Sequence, residues 1–143
     1  MLLSFVRTKT PWVGAWVLVF CFLSWKSAQP AAVAKESLAR GKKVYEQYCL
    51  SCHQADGTGV PRMNPPLAGV AMVTGDKKKL IEIVLKGLNT PMEINGEEYS
   101  NPMASHAFLK DQQIADVLSY VRNHFGNKAS MVTAAEVKAQ RGK

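Results

Sequence analysis

Residues 49–53 read Cys49-Leu50-Ser51-Cys52-His53, the C-x-x-C-H spacing by which a chain attaches a c-type haem. On the last turn of a helix, two thiols three residues apart point to one side, and each can bond one vinyl group of the same porphyrin. His53 then lies under the iron. C-x-x-C by itself is shared by thiol redox enzymes and zinc sites, but neither needs the adjacent histidine. A structural zinc site takes about four N or S ligands. Outside the pentapeptide the chain has only Cys21, inside an apolar run. A thioredoxin-like site would need flanking strands, and what flanks residues 49–53 reads as helix and turn.

The amino-terminal segment fits a haem attached outside the cytoplasm. Residues 1–10 carry Arg7 and Lys9 and no acid, residues 11–25 are almost wholly apolar, and Ala32-Val33-Ala34 offers an A-x-A cleavage site before Lys35. Residues 1–34 therefore read as a signal peptide. The apolar run is shorter than the roughly 20 residues of a spanning helix, which favours cleavage over an uncleaved anchor. The expected location is periplasmic or otherwise exported, with membrane contact through residues 11–25 if the segment is kept. Phe20 before Cys21 disfavours lipidation.

Residues 35–143 then form one domain of 109 residues with 15 basic and 11 acidic side chains, a net charge of +4 against +7 for the whole chain. One modest core is expected at that size, enlarged by a buried haem. Basic and aromatic residues do not interleave on one evident surface, so nucleic acid is not an expected partner.

Apolar periodicity predicts a first helix over 36–50, with Leu38, Gly41, Tyr45 and Tyr48 on one face. Residues 54–75 are rich in Gly, Pro, Asn and Thr and read as a loop wrapped around something. Asp76 caps a second helix through Leu88, and a second loop, 89–110, contains Pro91, Gly96 and Pro102. A third helix over 111–125 presents Ile114, Val117, Leu118, Val121 and Phe125, and Gly126 stops it. Thr133 and Glu136 form a capping box for a last helix to about Arg141. No strand-length alternating run is evident. The predicted class is all-α, three to four helices with long loops. Loops of that length in a small domain call for something to pack on, which a haem supplies.

The order of these motifs resembles class I monohaem cytochrome c: a helix ending in C-L-S-C-H, then H-Q-A-D-G-T-G-V, N-P-P-L-A-G, a methionine-bearing loop, and the helix D-Q-Q-I-A-D-V-L-S-Y-V-R-N. The resemblance covers 36–127. Four-helix cytochromes of the c-prime type carry C-x-x-C-H near the carboxyl terminus and are disfavoured. I-N-G-E-E-Y-S-N-P-M (94–103) and F-G-N-K-A-S-M-V-T-A-A-E-V-K (125–138) resemble a subgroup of small exported cytochromes. Its members partner quinoprotein or sugar dehydrogenases, or are tethered to copper nitrite reductases.

That resemblance implies one haem c, bound through Cys49 and Cys52, with iron held between His53 and Met103. Methionine sulfur opposite histidine raises the potential and closes the iron to substrates. Met103 follows Pro102 where the family places its axial methionine, although the family reads Met-Pro and this chain has Met103-Ala104. Met92 and His106 are the alternatives, while Met63, Met72, Met92 and Met131 otherwise read as core or loop residues. The family pattern also implies that the Pro65 carbonyl accepts the His53 ring N–H, and that Leu67 packs on the porphyrin. Gly41 and Tyr45 match the family's helix crossing, where they would meet Leu118 and Tyr120. His124, near the end of the third helix, suits the helix dipole. Lys77, Lys78 and Lys79 read as a solvated helix end in preference to a docking patch.

The expected function is single-electron transfer between extracytoplasmic partners (a dehydrogenase, reductase or oxidase), with a haem edge open near Cys52. Two rivals are an anchored electron-accepting subunit of a membrane or dehydrogenase complex, and a haem enzyme or gas-binding protein with an open sixth site.

Overall fold

A computed structural model describes residues 29–143. The apolar run 11–25 and most of the expected signal peptide lie outside the described residues. Among the described residues, no helix is long and apolar enough to cross a membrane.

Helix α1 spans Gln29–Tyr48 and begins seven residues earlier than the periodicity predicts. Pro30 falls in the first turn, where its missing N–H costs nothing, and Ala31, Ala32 and Ala34 are strong helix formers that extend the helix without an apolar stripe. After a break at Cys49, a single turn, α2 (Leu50–His53), carries on, with the His53 N–H donating to the Cys49 carbonyl at 2.9 Å.

Helix α4 (Lys77–Lys86) starts as predicted, the Asp76 carboxylate accepting from the Lys78 N–H at 2.9 Å. It ends two residues early because Gly87 adopts φ 76° and turns Leu88 out to pair with Met103. One further helical turn, α3 (Ala71–Thr74), interrupts the first loop.

The second loop contains what the sequence reading lacked, an antiparallel hairpin of β1 (Met92–Ile94) and β2 (Glu97–Tyr99), with Met92 opposite Tyr99 and Ile94 opposite Glu97. Asn95 and Gly96 form its turn with φ 53° and 81°, the left-handed pair that tight hairpins favour. Ile94 and Tyr99 are buried, whereas Glu93 and Glu98 face out.

Helix α5 (Asp111–Arg122) packs on α1 in the largest helix–helix interface of the described residues. It stops three residues short of prediction: the Asn123 side chain bonds the Ser119 carbonyl, and Phe125 takes φ 55°. Phe125 still packs on Tyr45 and Tyr120, from outside the helix. Gly41 sits at the crossing, where a Cβ would collide with the Asp116 carbonyl and approach the Tyr120 Cβ to 2.8 Å. Tyr120 is thus where the family pattern puts it. Asp116 takes the place expected for Leu118, which is turned toward the interior cavity. One turn away, the carboxylate of Asp116, 2% exposed, accepts from Ser37 (2.6 Å), Arg40 (2.6 and 3.1 Å) and Gln112 (2.9 Å).

The last helix, α6 (Ala134–Arg141), carries both arms of its predicted capping box: Thr133 N–H to Glu136 at 2.8 Å, and Glu136 N–H to Thr133 Oγ1 at 3.3 Å. Lys77 holds this region down, pairing with Glu136 at 2.5 Å and donating to the Met131 carbonyl at 3.2 Å. Of the three lysines read as a solvated end, Lys77 is therefore a structural tie.

Candidate functional site

A cavity of about 330 Å³ opens between the C-x-x-C-H turn, the first loop, α4, the hairpin loop and α5. Its walls are chiefly apolar, from side chains such as Val73, Leu80, Val84, Val117, Leu118 and Val121. All six residues singled out from the sequence, Cys49, Cys52, His53, Pro65, Leu67 and Met103, line this one cavity. They come from three separate segments.

The helical turn puts Cys49 half-buried and Cys52 at the surface. His53 is only 9% exposed. Its Nδ1–H donates to the Pro65 carbonyl at 3.0 Å, which fixes the tautomer and leaves Nε2 as the nitrogen free to bind a metal. Burial lowers the His53 pKa, partly offset by the Pro65 bond, so the ring is held neutral, as a metal ligand must be.

Pro65 is placed by a tight turn in which the Val60 and Asn64 backbones pair. Beneath it lies Gly59, at φ 69°; a Cβ there would collide with the Asn64 carbonyl and come within 2.7 Å of the Pro65 oxygen. Leu67 and the following turn are locked from the far end of the chain. The buried Asn127 amide donates to the Leu67 carbonyl (2.9 Å) and the Val121 carbonyl (2.9 Å), and accepts from the Gly69 N–H (3.0 Å). Sequence reasoning missed this residue. An asparagine after Phe125-Gly126 reads as a helix stop, and no spacing points to partners 58 and 60 residues away.

Met103 is held by its backbone, which exchanges hydrogen bonds with Leu88 at 2.8 and 2.9 Å. Met72 and Met92, read from the sequence as filler or loop, also line the cavity, whereas Met63 is an exposed loop residue. His106 reaches the cavity too; its N–H donates to the Val84 carbonyl at 2.9 Å and its Nδ1 to the Ala104 carbonyl at 2.9 Å. His124 stacks on Tyr120 with ring centres 4.6 Å apart and does not line the cavity.

The two loops that carry Pro65 and Met103 are joined directly. Ser100 N–H donates to the Arg62 carbonyl (3.3 Å), Asn101 N–H to the Met63 carbonyl (3.1 Å), and the Asn101 side-chain amide to the Asn64 side chain (3.2 Å). An apolar cleft with two thiols, a neutral imidazole with one free nitrogen and thioether sulfur has the donor set of a covalently held haem.

Comparison with known proteins agrees with the geometry. A family model described as Cytochrome c matches residues 38–125. Cytochrome c-552 of Thermus thermophilus is 39% identical over 114 residues, spanning 73% of this chain and 86% of that protein. The cytochrome c subunit of alcohol dehydrogenase (quinone) of Gluconacetobacter polyoxogenes is 40% identical over 100 residues, 68% of this chain but only 21% of the subunit. A gluconate 2-dehydrogenase cytochrome c subunit of Pantoea cypripedii is 36% identical over 108 residues, 71% of this chain and 24% of that subunit. The chain accordingly belongs to the cytochrome c family as a class I monohaem member, an electron-transfer protein with covalently bound haem c rather than a catalyst.

Proposed function

We propose that this cytochrome carries single electrons outside the cytoplasm, with a haem that would be fixed through Cys49 and Cys52 and its iron held by His53 and Met103. The observation that carries this reading is the convergence of all four residues on one chiefly apolar cavity. When bound, the haem supplies a ferric/ferrous couple that exchanges one electron without a proton. Cys49 and Cys52 would hold the haem as two thioethers, each S–H having added across a vinyl double bond. His53 presents Nε2, oriented and made more basic by its bond to Pro65. Met103 presents sulfur from a loop pinned to Leu88, and Val73, Val117, Leu118 and Val121 keep water out. Electrons leave and enter at the rim beside the exposed Cys52 and Leu50, the latter 37% exposed.

For the partner, the subunits of quinone-dependent alcohol dehydrogenase and gluconate 2-dehydrogenase among the relatives support an extracytoplasmic dehydrogenase as electron donor. Residues 1–34 serve in this reading as the export signal, cleaved before Lys35. Intact mass of the exported protein tests that point: a mature chain starting at Lys35 supports a free carrier, and a full-length one an anchored subunit.

The deciding experiment on the site is the absorption spectrum of the ferric protein and of Met103→Ala. A weak sulfur-to-iron charge-transfer band, absent from the variant, supports His/Met ligation. An unchanged six-coordinate spectrum and potential in Met103→Ala would sink it, and a c-type spectrum without the band in the parent protein would point to bis-histidine ligation or an open iron.

A further inference from the structure

Arg122, the last residue of α5, is 2% exposed and among the most deeply enclosed side chains of the described residues. A guanidinium buried this far normally faces a carboxylate. Here every partner is neutral: Nη1 donates to the carbonyls of Val73 (2.6 Å) and Gly75 (3.0 Å), Nε to that of Ser130 (2.8 Å), and Nη2 to the Ser130 hydroxyl (3.4 Å). Among the described residues, no carboxylate lies within ion-pair distance of it. Glu136, the acid that acts on it electrostatically, is itself taken up by Lys77 and Thr133. Burial lowers the pKa of Arg122, but a guanidinium keeps its proton in any protein environment. Neutral carbonyls can orient around the charge but cannot cancel it.

The charge also stands against the cavity wall. Val73, whose carbonyl takes the shortest of these bonds, lines the cavity, and so does Val121, the residue before Arg122. We propose that Arg122 is a built-in positive charge that raises the reduction potential of the haem, and that its neutral cradle exists to hold that charge in place uncompensated. Reduction brings in one electron from an external one-electron donor and no proton, so the net charge in the cavity falls by one. A fixed cation across the wall favours that reduced side. The inference rests on the haem occupying the cavity and is indifferent to whether Met103 is the sixth ligand.

Three variants of the haem-loaded protein test it by redox titration and thermal unfolding. R122Q removes the charge, R122K keeps the charge while losing most of the cradle, and S130D leaves Arg122 in place and sets a carboxylate beside it. R122Q and S130D are expected to shift the ferric/ferrous equilibrium toward ferric by about three- to tenfold, the effect of a unit charge across a layer of protein at an effective dielectric near 20. R122K should stay near the parent potential although it unfolds as early as R122Q. Equal shifts in R122K and R122Q, or no downward shift in S130D, would overturn the proposal. If neither Arg122 variant matures, S130D decides alone, because Ser130 is exposed and its substitution keeps the guanidinium tied to backbone carbonyls. The sulfur-to-iron band of the parent protein, read in the same samples, reports separately on Met103.

Discussion

The His53 ring and the Pro65 carbonyl oxygen are 3.0 Å apart, and the position of that oxygen is set by the absence of a side chain at Gly59. Gly59→Ala would push the carbonyl away, besides forcing alanine into φ 69°. With His53 as the proposed iron ligand, a weaker bond makes the imidazole less basic and a poorer stabiliser of ferric iron. The variant should therefore show a higher reduction potential and lose about 1–3 kcal/mol of stability. Redox titration alongside denaturant unfolding checks both, and an unchanged or lowered potential would show that the bond does not tune the ligand.

Gly41 makes a prediction of a different kind, because it touches the helix crossing and not the cavity. A methyl group there meets the Asp116 backbone carbonyl, which cannot swing aside as a flexible side chain would. Gly41→Ala should cost about 3 kcal/mol despite alanine's better helix propensity, because overpacking at the largest helix interface outweighs the ~1 kcal/mol gained in the helix. Thermal unfolding measures the difference; a stabilised variant would mean that α1 and α5 can slide apart freely.

Acid should weaken the same crossing. Burial by itself raises the Asp116 pKa, but hydrogen bonds from Arg40, Ser37 and Gln112 outweigh it and hold the carboxyl below its usual value. A folded pKa below the unfolded one gives stability that is present above about pH 4 and is lost as pH falls through the folded value. Asp116→Asn should be less stable than the parent at neutral pH and should lose less between there and about pH 3. Parallel pH curves for the two proteins would remove Asp116 from the acid response.

Asn127 ties three backbone groups with one amide. Asn127→Ala strands the Leu67 and Val121 carbonyls and the Gly69 N–H, and should cost about 3 kcal/mol. Hydrogen exchange should accelerate at Gly69, while α6 stays protected. Uniform loss of protection across the chain would instead mean that the amide supports the whole fold.

Much of this was legible because the deciding residues act on near neighbours. The C-x-x-C-H turn, the Asp76 cap and the Thr133–Glu136 capping box all close within five residues, and all stand where the sequence put them. The helix ends were less legible. Leu88 continues an apolar stripe, yet its pairing with Met103 takes it out of the helix, and no local pattern reveals a partner fifteen positions on. Asn95-Gly96 is a strong turn signal for the hairpin, but strands of only three residues leave no alternating run to flank it. Asn127 and Arg122 belong to a third kind, whose partners lie across the fold and whose roles exist only after it has closed.

The stitching of residues 62–64 to Ser100 and Asn101 bears on speed. It makes the backbone that carries Pro65 and the backbone that carries Met103 parts of one frame, so neither can shift without the other. A redox centre held in such a frame changes shape little when its charge changes, and the reorganisation energy that slows electron hopping stays small. Asn101→Ala would remove the side-chain stitch and leave the two backbone bonds, and the loosened centre would still accept electrons but would wait longer for each one.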